Sequence, residues 1–250
     1  MLLANLIVAT RPRVGLACEE GYALLPEGMP ACVQEVAEGG QEMLRVLGEL
    51  RPCWLEVIPE KKAHYAPALQ KGRTLFACHP AEEAVAAPVE IKPGCTFGAA
   101  GMPVHLPGCA AGACRGALLA IVGRALPAGT RPEGTAVFGI APGLVFSLPG
   151  TAGAYGAGFV PLGPCVTRGL PDRARLHVCV DGLDRAVQEW QDLPDAMMQA
   201  MGEIVALAPL ETGDGVLLTG AAVPVAPGQT VTATVTDAGE ALPPLWVPVV

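Results

Sequence analysis

Residues 213–242 read GDGVLLTGAAVPVAPGQTVTATVTDAGEAL, and this stretch decides the fold class. After the Gly213-Asp214-Gly215 turn an apolar run starts at Val216. The Pro227-Gly228 turn follows, and then a segment in which Thr alternates with Val or Ala. A period of two with β-branched residues is the pattern of a strand that buries one face. Strand, Gly/Pro turn and strand therefore close the chain. Immediately upstream, residues 192–209 change period. Asp192 can accept from free N–H groups at a helix start and Pro194 suits its first turn, while Met197, Met198, Met201, Ile204, Val205 and Leu207 form a broad apolar face. The three methionines read as adaptable core filler rather than as a ligand wall. Further upstream, RLHVCVDG (175–182) and LDRAVQEW (183–190) read as a hairpin turning at Gly182.

The rest of the chain continues in the β register. TLFAC (74–78), PVEIK (88–92), ALLAIVG (117–123), TAVFGIA (135–141) and LVFSLP (144–149) are short apolar runs bounded by Gly or Pro, with no strand–helix–strand alternation. Near the N-terminus LIVAT, VGLAC and YALL suggest a meander, with a turn at Glu19-Glu20-Gly21. Residues 31–48 turn helical, and Gly39-Gly40 weakens the middle enough to split them. Pro52, Pro59 and Pro67 mark a linker. The expected organisation is a small N-terminal β-meander-plus-helix domain over 1–70 and a larger domain over 71–250, in the β-rich α+β class.

Composition narrows the function classes. With 31 Gly and 25 Pro among 250 residues, every apolar run is interrupted well short of the roughly 18–20 residues that a membrane helix needs. MLLANLIVATRPR carries no basic region before its apolar part, so it reads as a first strand rather than a leader. The formal charge is −8 and no Lys/Arg cluster stands out, which argues against a nucleic-acid surface. Small molecules or proteins are the expected partners. The nine cysteines are odd in number and mostly flanked by apolar residues, and they read as reduced core thiols in a cytoplasm.

Six segments in order resemble the fumarylacetoacetate hydrolase superfamily: TLFAC, EIKPGCTFGAAGMPVHLPG, ALLAIVGRA, VFGIAPGLVFSLP, GFVPLGPCVT and VCVDGLDRAVQEW. They are followed by Gly213-Asp214, Thr219-Gly220-Ala221-Ala222 and Pro227-Gly228-Gln229 in place of the family's Gly-Asp, Thr-Gly-Thr-Pro and Pro-Gly-Asp elements. Ser147-Leu148-Pro149 and the closing ALPPLWVPVV are most similar to the isomerase/decarboxylase branch. The resemblance implies a mixed β-sandwich roll with a small N-terminal β domain. It also implies, in active members, a Glu-x-Glu pair and an Asp that bind Mg²⁺ or Mn²⁺.

The chain departs from the family at these ligands. Arg115 and Ala117 stand at the Glu-x-Glu positions, and Leu144-Val145 replaces Asn-Asp. Ala154-Tyr155-Gly156-Ala157-Gly158 replaces Lys-x-Arg-Asp-Gly, and Ala221-Ala222 replaces the substrate-side Thr-Pro. The loop that supplies a base in hydrolytic members shortens to Cys78-His79-Pro80-Ala81-Glu82-Glu83, where His79 or Glu82 is the candidate substitute. Such a donor set implies no metal and no other cofactor. Lys92, from the family's Phe-x-Lys segment, Arg115 and His105 are the candidate catalytic residues. Ala117, Val145, Ala154, Tyr155, Ala157, Thr219 and Ala221 are the candidate pocket lining, and Cys114, beside the old ligand strand, is a candidate reactive thiol.

Because charged and hydroxyl groups are exchanged mainly for Ala, Gly, Val and Leu, the expected activity is metal-independent isomerisation, cyclisation or cycloaddition of an apolar, polyketide-like conjugated carbonyl substrate, driven by shape and hydrogen bonding. Two alternatives stand beside it. One is a non-catalytic partner of an active paralogue, and the other is residual hydrolase or decarboxylase chemistry on a 2-oxo or 1,3-dicarbonyl acid with substitute ligands. A homodimer, or a heteromer with a paralogue, is the expected assembly.

Overall fold

A computed structural model describes residues 1–69, 72–79, 89–106, 111–148, 156, 158–237 and 240–250. The chain opens with a meander of β1 (Leu2–Val8), β2 (Arg11–Cys18) and β3 (Gly21–Leu24). Helices α1 (Val33–Glu38) and α2 (Gly40–Glu49) follow, broken where the glycine pair stands, with Gly40 at φ 58°. Then come β4 (Val57–Ile58), β5 (Leu75–Cys78), β6 (Val89–Lys92) and β7 (Phe97–Gly98). The two long central strands are β8 (Gly112–Val122) and β9 (Val137–Ser147), and after them lie β10 (Val160–Pro161) and β11 (Cys165–Arg168). The predicted hairpin is β12 (Ala174–Val180) and β13 (Leu183–Trp190), and the predicted helix is α3 (Leu193–Val205). The chain ends with β14 (Gly215–Val225), β15 (Thr230–Asp237), β16 (Glu240–Ala241) and β17 (Leu245–Pro248).

Local chemistry accounts for the ends of these elements. The Asp192 side chain accepts from the Asp195 N–H at 3.0 Å, capping α3. Asp181 and Gly182, both at positive φ (52° and 76°), make the two-residue turn that matches the twist of the β12–β13 hairpin. β15 alternates buried and half-buried residues, as its Thr/Val pattern requires.

Ten strands make one mixed sheet in the order β4-β3-β2-β1-β11-β9-β8-β14-β5-β6. A second sheet runs β13-β12-β15-β16, with β17 also pairing to β15. The N-terminal meander joins the ten-stranded sheet where β1 pairs antiparallel with β11. The two sheets meet at Gly116, where a Cβ would lie 2.3 Å from Val178 Cγ2 and 2.9 Å from Leu176 Cδ2, so only glycine lets them approach. Nearly every side chain of β8, β9 and the first half of β14 is buried. This is a mixed α+β fold dominated by one large sheet.

The Gly-Asp element of the sequence has a structural duty here. Buried Asp214 accepts from the backbone N–H of Thr74 at 3.0 Å and of Glu211 at 2.9 Å. It thereby ties the start of β14 to the start of β5, and these two strands carry the residues described next. The expectation of core thiols holds for Cys32, Cys78, Cys114 and Cys165, which are buried, whereas Cys53 and Cys95 are exposed on turns. Cys114 is fully buried and burial pushes its thiol up, which makes it an inert thiol rather than a reactive one.

Candidate active site

Strand alternation determines which side chains share a face. Since Gly116 points into the second sheet, Arg115 and Ala117 point to the other side of the large sheet. Register carries that face sideways. Ala117 pairs with Gly143 on β9 and Thr219 on β14, and Arg115 pairs with Val145. The parallel pairing of Leu218 with Cys78 sets Thr219 beside His79, the residue after β5. Ala77 and Leu75 pair with Glu90 and Lys92 on β6. One sheet face thus gathers Arg115, Ala117, Val145, Thr219, His79, Glu90 and Lys92.

Hydrogen bonds link four of these residues. The Nζ of Lys92, a side chain only 2% exposed, bonds the Glu90 carboxylate. Oε2 of the same carboxylate lies 3.4 Å from His79 Nε2, close enough for an ion pair, yet Nε2 has no hydrogen-bond partner among the described residues. On the far side of the ring Nδ1 is 2.9 Å from Thr219 Oγ1. The Thr219 hydroxyl donates to the Cys78 carbonyl at 3.1 Å, so toward His79 its oxygen accepts. In the tautomer that fits this pair of bonds, Nδ1 carries the ring proton and Nε2 the lone pair. Arg115 Nη1 donates to the Gly220 carbonyl at 3.2 Å, which fixes the guanidinium along the bulge of β14 between Thr219 and Ala222.

The charges act on His79 in a definite balance. Burial pushes its pKa down; Glu90 works to raise it; Arg115 and Lys92 lower it further, and the result is below the ordinary value. For Glu90, burial works to raise the carboxyl, but the hydrogen bond and charge of Lys92, followed by His79, outweigh it and hold the carboxyl low. At neutral pH the arrangement is a carboxylate 3.4 Å from a buried, neutral imidazole. That is the state a general base requires.

Of the residues singled out in the sequence, Lys92, Arg115, Ala117, Val145 and Thr219 share this face. His105 does not join them. It is exposed between Val104 and Leu106, which bond the C-terminal strand. Ala221 is exposed on the bulge. Ala154, Tyr155, Ala157 and Glu82 lie outside the described residues. Glu90 escaped sequence reading, although the alternation of Val-Glu-Ile-Lys puts it on the face of Lys92. It stands where the Phe-x-Lys segment has its phenylalanine.

The same residues decide whether a divalent ion fits. A guanidinium and two hydrocarbon side chains stand at the ligand positions, and none offers a lone pair to a hard cation. Among the described residues no group of three His, Cys, Asp or Glu side chains is placed to hold a metal.

No family model and no curated protein sequence matches this chain. Its fold, in contrast, is shared with several solved structures. A maleylpyruvate hydrolase from Sphingobium sp. SYK-6, in complex with manganese (II) and pyruvate, superposes with a TM-score of 0.83 at 20% identity, over 100% of this chain and 99% of that one. Fumarylacetoacetate hydrolase from Exiguobacterium antarcticum gives 0.79 at 16% identity, with 100% and 99% coverage. For 2-hydroxyhepta-2,4-diene-1,7-dioate isomerase from Mycobacterium marinum the values are 0.74 and 16%, with 100% and 98%. The chain therefore has the fold of the fumarylacetoacetate hydrolase superfamily over its whole length. Among the described residues no helix is long and apolar enough to cross a membrane.

Proposed function

We propose that this protein is a metal-independent acid–base enzyme that moves a proton on an apolar, conjugated carbonyl substrate, in isomerisation or in a cyclisation begun by enolisation. The observation that carries this reading is the buried Nε2 of His79, 3.4 Å from a Glu90 oxygen and with no other side chain or backbone group bonded to it among the described residues. A proton taken from a carbon next to a carbonyl would be shared between that nitrogen and the carboxylate. Lys92 keeps Glu90 ionised, so the imidazolium formed after proton transfer has a counter-charge already in place. Thr219 holds the ring from its other side and preserves the tautomer. Arg115, fixed through Gly220, is the positive group on this face for an enolate oxygen. Methyl and isopropyl groups at Ala117 and Val145, where the family carries ligands, favour a hydrocarbon substrate over a polyanion.

A panel of β,γ-unsaturated ketones and 1,3-dicarbonyl compounds with apolar tails tests this reading. Isomerisation is followed by the absorbance of the conjugated product, and exchange by loss of the carbon-bound proton signal in D₂O. Wild-type protein treated with chelator is expected to outpace His79→Asn by about 10²- to 10⁴-fold, the usual worth of a positioned base. Equal rates for the two proteins across the panel would overturn the reading.

A further inference from the structure

A cleft of about 240 Å³ opens on the other side of the His79–Thr219 pair, between α3 and β13. Cys78, Leu218 and the edge of His79 and Thr219 form its floor; Gln188 and Trp190 of β13 form one wall; Ala196, Gln199, Ala200 and Glu203 of α3 form the other. Ala196 and Ala200 lie one helical turn apart, and their methyl groups leave the gap between helix and strand. Among the described residues the lining includes a carboxylate, two primary amides and the indole of Trp190, but no lysine or arginine. His79, the remaining titratable base in it, is held toward its neutral form by burial. The Nε2 of this same buried ring has no well-aligned hydrogen bond among the described residues.

We propose that this cleft is a subsite for a planar, uncharged or cationic group of the substrate, and that it rejects carboxylates. This rests on the reading of His79 as the base, because the two sites meet at the His79–Thr219 pair. A flat group would lie against the Trp190 indole, hydrogen-bond the Gln188 and Gln199 amides, and, if cationic, face Glu203. An anion would meet Glu203, with no lysine or arginine among the described residues of either wall to offset it. The substrate is thus a conjugated carbonyl compound joined to an amide-like or amine-bearing planar end.

Benzamide, benzamidinium and benzoate form a neutral, positive and negative set of nearly equal shape, and they serve as the probes. Of the three tryptophans, Trp54 and Trp246 are replaced by Phe, so that fluorescence reports Trp190 alone. Benzamide and benzamidinium are expected to perturb that signal saturably, with benzoate at least about fivefold weaker, and Glu203→Gln to narrow the gap between the two ions by about the same factor, the worth of a partly exposed ion pair. Ala196→Leu fills the cleft and is expected to abolish binding of all three probes, with circular dichroism confirming that the variant is folded. Benzoate binding as tightly as benzamidinium, or probe binding undisturbed by Ala196→Leu, overturns the subsite. Probe binding needs no turnover, and proton exchange is measured without probe, so failure of the subsite and failure of His79 as base are read separately.

Discussion

Replacing Lys92 with Met removes an ammonium while keeping the length and apolar stem of a side chain that is 2% exposed. The Glu90 carboxylate then loses its closest positive partner. Breaking a buried ion pair from one side costs about 3–5 kcal/mol, because the remaining charge stays buried without compensation. The Glu90 side chain keeps 21% of its exposure, so water recovers part of that cost and the lower end, about 3 kcal/mol, applies. For a chain of this size that corresponds to a melting temperature lower by about 6–12 °C at neutral pH. The pH dependence carries the sharper signature. In the wild type Glu90 is held below its ordinary value, so its stabilisation is complete above the unfolded value and disappears as pH falls through the folded one. Without Lys92 burial dominates and the carboxyl rises, so the penalty is present above the folded value and vanishes as the group protonates. The stability gap between the two proteins therefore narrows between about pH 7 and about pH 4, spanning the ordinary carboxyl value. Urea unfolding at both ends of that range measures it. The double variant Glu90→Leu/Lys92→Met, which removes both charges, is expected to regain most of the loss. A gap of the same size at both pH values, or none at either, would refute the role of Lys92 as the charge that keeps Glu90 ionised.

Three further outcomes follow from the same geometry. Asp214→Ala leaves the Thr74 and Glu211 N–H groups without their acceptor, and urea unfolding is expected to show a loss of about 3 kcal/mol, with Asn at this position losing less. A thiol reagent at neutral pH is expected to modify Cys53 and Cys95 first, while buried Cys78 and Cys165, pushed up to about 12 by burial, react only on unfolding; peptide mapping reads this directly. Millimolar Mn²⁺ or Mg²⁺ is expected to leave the melting temperature unchanged, whereas a bound ion at 100 times its Kd would add about 2.7 kcal/mol.

Much of this molecule is legible in the sequence because it is local. The β12–β13 hairpin follows from its alternation and Gly182, α3 from Asp192 and its apolar stripe, and the break between α1 and α2 from Gly39-Gly40. The order of short strands and Gly/Pro turns carries the expected fold, which the solved structures share. Long-range pairing leaves no such trace. Nothing in the meander announces that β1 will pair with β11. The grouping around His79 is hidden for the same reason. His79, Glu90 and Thr219 come together only through the parallel β5–β14 register and the antiparallel β5–β6 register. Lys92 and Thr219 could be picked out by resemblance; Glu90, at a position where the family pattern has phenylalanine, could not.

Nitrogen-15 NMR of the His79 imidazole across a pH titration tests the central claim most directly, because it reports which ring nitrogen carries the proton and when the second one arrives. The geometry predicts a neutral ring at pH 7, protonated on Nδ1 toward Thr219 and bare on Nε2, with a midpoint below the ordinary histidine value. A ring that is already cationic at neutral pH, or one protonated on Nε2 toward Glu90, would contradict it.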